Sequence, residues 1–242
     1  MEMHQTAMDN GRSFFSCYSK IFDDALVKVV EIGSQDVNGT LKDVCPKRFN
    51  YIGVDFISAA NVDVVLDDPY ILPFEDNSVD IVLSSSCFEH SEMFWLVFIE
   101  ILRVLKPKGI FYMNAPSKGG YHAYPVDCWR FNPDSGLALS NWGKRNGYSS
   151  VLLESYTQAS GEWGDFVAVF LKDASFINHF SARIIDTKPD FVNGRKNSNI
   201  LEMFNPLYLE QSENKRQGLS RLKNYIPKTL KPFIEKIYHY FH

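Results

Sequence analysis

Residues 31–39 read EIGSQDVNG and close the apolar run VKVV at 27–30, whose β-branched residues predict a buried strand. A glycine-bearing loop directly after such a strand is where an open parallel sheet meets its ligand. This loop does not suit a pyrophosphate. That task needs free amides and close backbone approach, hence G-x-G-x-x-G, and Gln35 and Val37 stand where glycine would be wanted. No Gly-Lys-Ser/Thr occurs in the chain, which excludes a Walker loop. Glu31 at the strand end would repel a phosphate and suits a cationic ligand instead.

Outward from this loop, short β-branched runs alternate with longer helical patterns, as in βαβ units and a parallel sheet. Strands are predicted at about 27–33, 50–55, 62–66, 79–85, 109–115, 148–156 and 165–172. A helix is predicted between the fourth and fifth strands, with Ser91 as its N-cap and Lys106-Pro107-Lys108-Gly109 as its stop. After Lys172 the β pattern ends, and a polar stretch at 187–199 leads to an isolated apolar patch and a basic tail.

The 242 residues, 45% hydrophobic, suit one domain with appendages. The longest apolar stretch, 93–99, is followed by Glu100 and Arg103 and falls well short of the ~20 residues a spanning helix needs. No N-terminal segment joins a basic start, an apolar core and a small-residue cleavage site, so a cytoplasmic location is expected. Cys17, Cys45, Cys87 and Cys128 are widely separated, which argues against a zinc site and a disulfide framework. The net charge of −4 is uneven: residues 214–242 carry +6, leaving −10 on the rest, which disfavours a nucleic-acid-binding body.

Asp55 closes the second strand about twenty residues past the loop, where a carboxylate accepts hydrogen bonds from ribose hydroxyls. Taken in order, VVEIGSQDVNG, YIGVD, DDPYILPFEDNSVDIVLSSSCFEH and EILRVLKPKGIFYMNAPS resemble the class I S-adenosylmethionine-dependent methyltransferases across residues 25–172. S-adenosylmethionine carries an amino group and a sulfonium but no phosphate, in keeping with the acidic loop. The resemblance implies an α/β, Rossmann-like seven-stranded mostly parallel sheet with helices on both faces in residues 1–175, and leaves 176–242 as a helical C-terminal extension. It implies Glu31, Gly33 and Ser34 at the methionine end of the cofactor, Asp55 at the ribose, Asp68 or its neighbour Asp67 beside the adenine, and Ser84 and Ser85 beneath. Two departures stand out: the family's G-x-G-x-G is here Gly33 to Gly39 with no glycine between, and its Pro-Gly-Gly is Pro107-Lys108-Gly109. Asn38-Gly39 can supply the positive-φ turn one step later.

Two further stretches lie where this fold places its acceptor: Phe88-Glu89-His90 and SKGGYHAYPVDCWRFNPDSG at 117–136. Tyr121, Tyr124, Asp127, Trp129 and Arg130 are expected to bind a polar hydroxylated molecule, aromatics against a ring and charges orienting it. Transfer to an alcohol also needs a proton acceptor, for which His122 is the first choice, then His90 and Glu89. Plainer roles compete: His90 as cap of the following helix, Arg130 as partner of Asp127. No divalent-metal spacing is visible after the fourth and fifth strands, so metal-independent transfer is expected.

The expected function is O-methylation of a small polar acceptor, a sugar or nucleotide-linked sugar of surface-polysaccharide synthesis. The alternatives are another phosphorylated or amine metabolite, or a non-catalytic cofactor-binding subunit of a glycan-assembly complex. In the tail, Leu219, Leu222, Ile226, Leu230, Phe233, Ile237 and Phe241 recur at helical spacing, divided by Pro227 and Pro232. They are expected to pack on the body or a partner subunit, or to rest on the inner face of an anionic membrane.

Overall fold

A computed structural model describes residues 5–23, 26–37, 39–123, 126–199 and 201–207. Met1–Pro206 forms one compact unit and Leu207–His242 a second. The amphipathic tail expected in the second unit lies outside the described residues.

Among the described residues, eight strands form one sheet: β1 (Lys28–Ile32), β2 (Asn50–Asp55), β3 (Val64–Val65), β4 (Val79–Ser85), β5 (Leu105–Ala115), β6 (Val151–Gln158), β7 (Phe166–Leu171) and β8 (Phe191–Lys196). Their order is β3-β2-β1-β4-β5-β7-β6-β8. β1 pairs in parallel with β2 and β4, β2 with β3, and β4 with β5. β7 runs antiparallel between β5 and β6, and β8 antiparallel beside β6. Strand order therefore reverses between β1 and β4, so a crevice opens beyond their carboxyl ends.

Alternation along each strand assigns the two faces. Val30, Val82, Phe111 and Phe170 pack in one core with Phe98 and Leu102 of α2 (Phe94–Val104) and Leu137 and Leu139 of α3 (Ser135–Arg145). Val29, Ile81, Tyr112 and Val169 pack in another with Phe14, Phe15 and Tyr18 of α1 (Gln5–Tyr18). β4, covered on both faces, is buried at all seven positions, which is why its sequence reads as one continuous run.

The expected seven strands become eight, because β8 lies in the stretch read as polar and keeps the chain in the first unit past residue 175. Its charges are paired: buried Arg195 bonds Asp134 at 2.5 Å, and Lys196 bonds Asp186. Polarity there did not mean exposure. α2 begins at Phe94 without a side-chain cap, so Ser91 is not its N-cap; the Ser91 carbonyl instead accepts from Trp129 Nε1 at 2.9 Å. Lys106, Pro107 and Lys108, read as a helix stop, lie inside β5, where Lys106 pairs with Asp80 at 2.8 Å.

Candidate functional site

Gly33 turns the chain out of β1 at φ 74°, a left-handed conformation that glycine adopts without strain. A Cβ there would stand 2.5 Å from Cβ of Cys87, so glycine alone lets this turn close against the one after β4. The next amides bond inward. Gly33 and Ser34 donate to the Val54 carbonyl at 3.0 and 3.2 Å, Gln35 to Asp55 Oδ2 at 3.4 Å, and Asp36 to the Ala60 carbonyl at 3.1 Å. Asn61 Nδ2 ties the ends of the loop together through the Ser34 carbonyl at 3.0 Å and Thr40 Oγ1 at 2.9 Å. A single 3-10 turn, Leu41–Asp43, follows. With four donors spent and a 3-10 turn in place of an α-helix behind them, the described residues of the loop offer no phosphate cradle.

Glu31 is 2% exposed and lies at the wall of a cleft of about 230 Å³. Tyr51 donates its hydroxyl to the Glu31 carboxylate, and Asn61 Nδ2 approaches the same oxygen at 3.5 Å. Burial pushes the carboxyl up to about 7. A buried carboxylate poised to ionise is a natural seat for an ammonium group.

The opposite wall begins where β4 ends. Ser85 lies on it, followed by Ser86 at φ 51°, a conformation costly for a serine and held here beside the cleft. A 3-10 turn, Phe88–His90, then places Glu89 and His90. Glu89 is 2% exposed, and among the described residues its Oε2 has no hydrogen-bond partner, as is also true of the Ser84 and Ser85 hydroxyls. Burial pushes its carboxyl up to about 8. The His90 Nδ1–H donates to the Val126 carbonyl, and burial lowers the pKa of the ring.

His122 completes that wall. Its Nδ1 stands 3.2 Å from Asp127 Oδ2, and its amide donates to the same oxygen at 2.8 Å. Arg130 grips Asp127 with two bonds, 2.5 and 2.8 Å, and holds its carboxyl far below the usual carboxylate range. The His122 ring meets those of His90 and Trp163 at centroid distances of 5.0 and 4.8 Å. Glu89 Oε1 lies 3.8 Å from His90 Nε2, and one donor atom from each of Glu89, His90 and His122 falls within 4.8 Å of the others.

Of the residues singled out in the sequence, Glu31, Gly33, Ser34, Ser85, Glu89, His90 and His122 all line this one cleft. Asp55 is buried just behind the loop, accepting from the Gln35 and Ile57 amides at 3.4 and 3.2 Å. Ser84 is buried in β4, while Asp67 and Asp68 are exposed and do not line the cleft; Asp68 accepts from the Tyr70 amide at 2.8 Å. In the acceptor stretch, Tyr121 is 79% exposed, and Trp129 packs on Phe94 and Trp95. Arg130 and Asp127 pair with each other and shape the loop; Tyr124 lies outside the described residues. Trp163, Asp165, Thr40 and Ala7 also line the cleft and were not read from the sequence. Thr6 of α1 bonds Asp165 at 2.8 Å, but no spacing announces that approach.

Residues 30–113 match the family described as a methyltransferase domain. A curated relative, phthiotriol/phenolphthiotriol dimycocerosates methyltransferase 1 of Mycobacterium ulcerans (strain Agy99), is 36% identical over 77 residues, 31% of this chain. That match spans only 24% of the relative's own length, so its acceptor is not carried over. Among solved structures, the 4+2 cyclase SpnF aligns with a TM-score of 0.54 at 14% identity over 72% of this chain and 83% of its own. The 1,6-didemethyltoxoflavin-N1-methyltransferase of Burkholderia thailandensis, solved with 1,6-didemethyltoxoflavin and S-adenosylhomocysteine, aligns with a TM-score of 0.52 at 12% identity over 70% of this chain and 80% of its own. At such identities the likeness shows the fold, and a cyclase among the neighbours shows that the fold alone does not assign the reaction.

Proposed function

We propose that this chain is an S-adenosylmethionine-dependent methyltransferase that methylates a hydroxyl of a small polar acceptor. The observation that carries this reading is the single cleft joining the acidic, inward-bonded loop at Glu31 to Glu89, His90 and His122. The residues fit the cofactor: a carboxylate for an ammonium, a buried Asp55 at the end of β2 for ribose hydroxyls and, among the described residues, Ser85 and Glu89 oxygens in the cleft without a partner and no phosphate cradle. When bound, S-adenosylmethionine supplies an electrophilic methyl group on a sulfonium. Glu31 holds its amino end and orients it. His122, its Nδ1 fixed by Asp127, accepts the proton of the acceptor hydroxyl at Nε2 as the C–O bond forms and the S–C bond breaks. Asp127, kept ionised by Arg130, stabilises the resulting imidazolium, as in other carboxylate–histidine pairs.

For the acceptor we propose a sugar or nucleotide-linked sugar. Support comes from the aromatic residues at 117–136, of which Tyr121 is exposed and can lie against a ring. Incubation with methyl-labelled S-adenosylmethionine and a panel of sugars, nucleotide-sugars, amines and lipid alcohols tests both parts. Label passing to a sugar with stoichiometric S-adenosylhomocysteine supports the full reading, and label on an amine or lipid overturns the acceptor alone. Cofactor binding with no transfer to the panel favours a non-catalytic cofactor-binding role.

A further inference from the structure

The corner formed by Glu89, His90 and His122 is built beyond what a single proton acceptor requires. A carbonyl can only accept, so the Val126 oxygen fixes the proton of His90 on Nδ1 and leaves a lone pair on Nε2. At His122, the Asp127 carboxylate oxygen stands 3.2 Å from Nδ1. Arg130 Nη2 also comes within 3.4 Å of Nδ1, but its two hydrogens are already taken by Asp127 Oδ2 at 2.8 Å and the Gly120 carbonyl at 2.7 Å. The His122 proton therefore also sits on Nδ1, and Nε2 is again left with its lone pair. Histidines that ligate metals are held in this way, the far nitrogen donating to a carbonyl or carboxylate. Beside them is Glu89, almost fully buried, with Oε1 3.8 Å from His90 Nε2 and Oε2 without a hydrogen-bond partner among the described residues. A buried carboxyl group with an oxygen that no described donor reaches is open to a cation.

We propose that Glu89, His90 and His122 bind one divalent transition-metal ion. Two neutral imidazoles and one carboxylate suit zinc, iron, cobalt or manganese better than magnesium or calcium, which prefer all-oxygen shells. Donors bonded at ~2.0 to 2.2 Å stand roughly 3 to 3.5 Å from one another. Here they lie within 4.8 Å, and His122, at 37% side-chain exposure, has room to close the difference. Three protein ligands leave positions open on the cleft side for an oxygen of the bound acceptor. Binding of the metal does not depend on the methyltransferase reading, but its role in transfer rests on that reading. There, with the metal bound, the acceptor hydroxyl would lose its proton to solvent water, and its oxygen would bond to the methyl carbon as the S–C bond breaks and S-adenosylhomocysteine leaves; His122 would then act as ligand, its proton-accepting role being that of the metal-free protein.

Metal-free full-length protein is titrated with cobalt(II) alone, followed by visible d–d absorption, and with zinc(II) by calorimetry, without cofactor or acceptor. One ion per chain is expected, with affinity falling at least roughly 10²-fold in Glu89→Gln and in His122→Ala. Asp127→Asn, which touches only the second nitrogen of a ligand, is expected to lower it about 10- to 100-fold. His179→Ala, on an exposed turn, leaves it unchanged. Circular dichroism confirms that each variant is folded. No saturable binding, or equal affinity in the wild type and the Glu89→Gln/His122→Ala double variant, overturns the metal site. If the metal binds as described but S-adenosylhomocysteine does not, the methyltransferase reading fails and the metal site stands.

Discussion

Replacing Glu31 with glutamine reads the amino end of the cofactor directly, because burial holds this carboxyl near 7 instead of its ordinary 4.5. In the free protein about one molecule in ten then carries the carboxylate at pH 6 and about nine in ten at pH 8. If the ammonium group of S-adenosylhomocysteine binds the carboxylate form, apparent affinity scales with that fraction and rises about tenfold between the two pH values. Close to one proton is released on binding at pH 6. Two ionisable neighbours do not interfere: burial pushes Cys45 up to about 12 and Tyr51 beyond any relevant pH. Glu89, pushed up to about 8, does titrate across the cleft, so the variant supplies the necessary comparison. Glu31→Gln should abolish the tenfold step and weaken binding at pH 8 by about 1.5 to 3 kcal/mol, the range for hydrogen bonds to charged groups. The stability linkage runs the other way. With its folded pKa raised, Glu31 contributes stability that is fully present below about 4.5 and lost as pH rises through about 7, up to about 3 kcal/mol. The ligand-free variant should therefore melt higher than wild type at pH 8. Calorimetry in buffers of different ionisation enthalpy gives the affinity and the proton count together. A wild-type affinity that is flat from pH 6 to 8, or a step of undiminished size in Glu31→Gln, refutes the reasoning.

Three other substitutions probe the remaining contacts. Asp55→Ala should lose about 1.5 to 3 kcal/mol of S-adenosylhomocysteine binding by calorimetry, since it removes charge-assisted bonds to ribose and frees the Gln35 and Ile57 amides; unchanged affinity in a folded variant would move the ribose elsewhere. Gly33→Ala should shift the urea midpoint by the equivalent of about 1 to 3 kcal/mol, because its Cβ meets Cys87 at a left-handed φ; an unshifted midpoint contradicts the tight turn. His122→Ala should lower turnover by ~10² to 10⁴ with cofactor affinity intact. Near-normal turnover there, alongside an inactive Glu89→Gln, assigns the decisive role to Glu89.

The central strands were legible because a parallel sheet covered on both faces writes itself as apolar runs: β2 and β4 fall where the sequence placed them. The loop at Glu31 was legible too, since an acid and a glycine at a strand end carry their own chemistry. α1 left no comparable trace. Its buried face includes Asn10, bonded to Asn114 and Tyr156 at 3.0 Å each, so polar residues fill positions where an apolar period would be sought. β8 hid its buried arginine in the same manner. The meeting of His90 with His122 depends on a loop crossing from β5 back over the end of β4, where the Cys128 and Trp129 amides bond the Glu89 carbonyl at 2.8 and 3.1 Å. Trp163 and Asp165 arrive from the β6–β7 connection, whose sequence reads only as a turn. Such approaches belong to tertiary structure and have no period or spacing to betray them.

The central claim, that the cleft takes a nucleoside bearing an ammonium group and no phosphate, is tested most directly by titrating the full-length protein at pH 8 with S-adenosylhomocysteine and, separately, with NAD and ATP. The account predicts saturable one-to-one binding of S-adenosylhomocysteine and none of the phosphate-bearing nucleotides, because the Gly33, Ser34, Gln35 and Asp36 amides are already bonded inward. Binding of NAD or ATP with S-adenosylhomocysteine left unbound would contradict it.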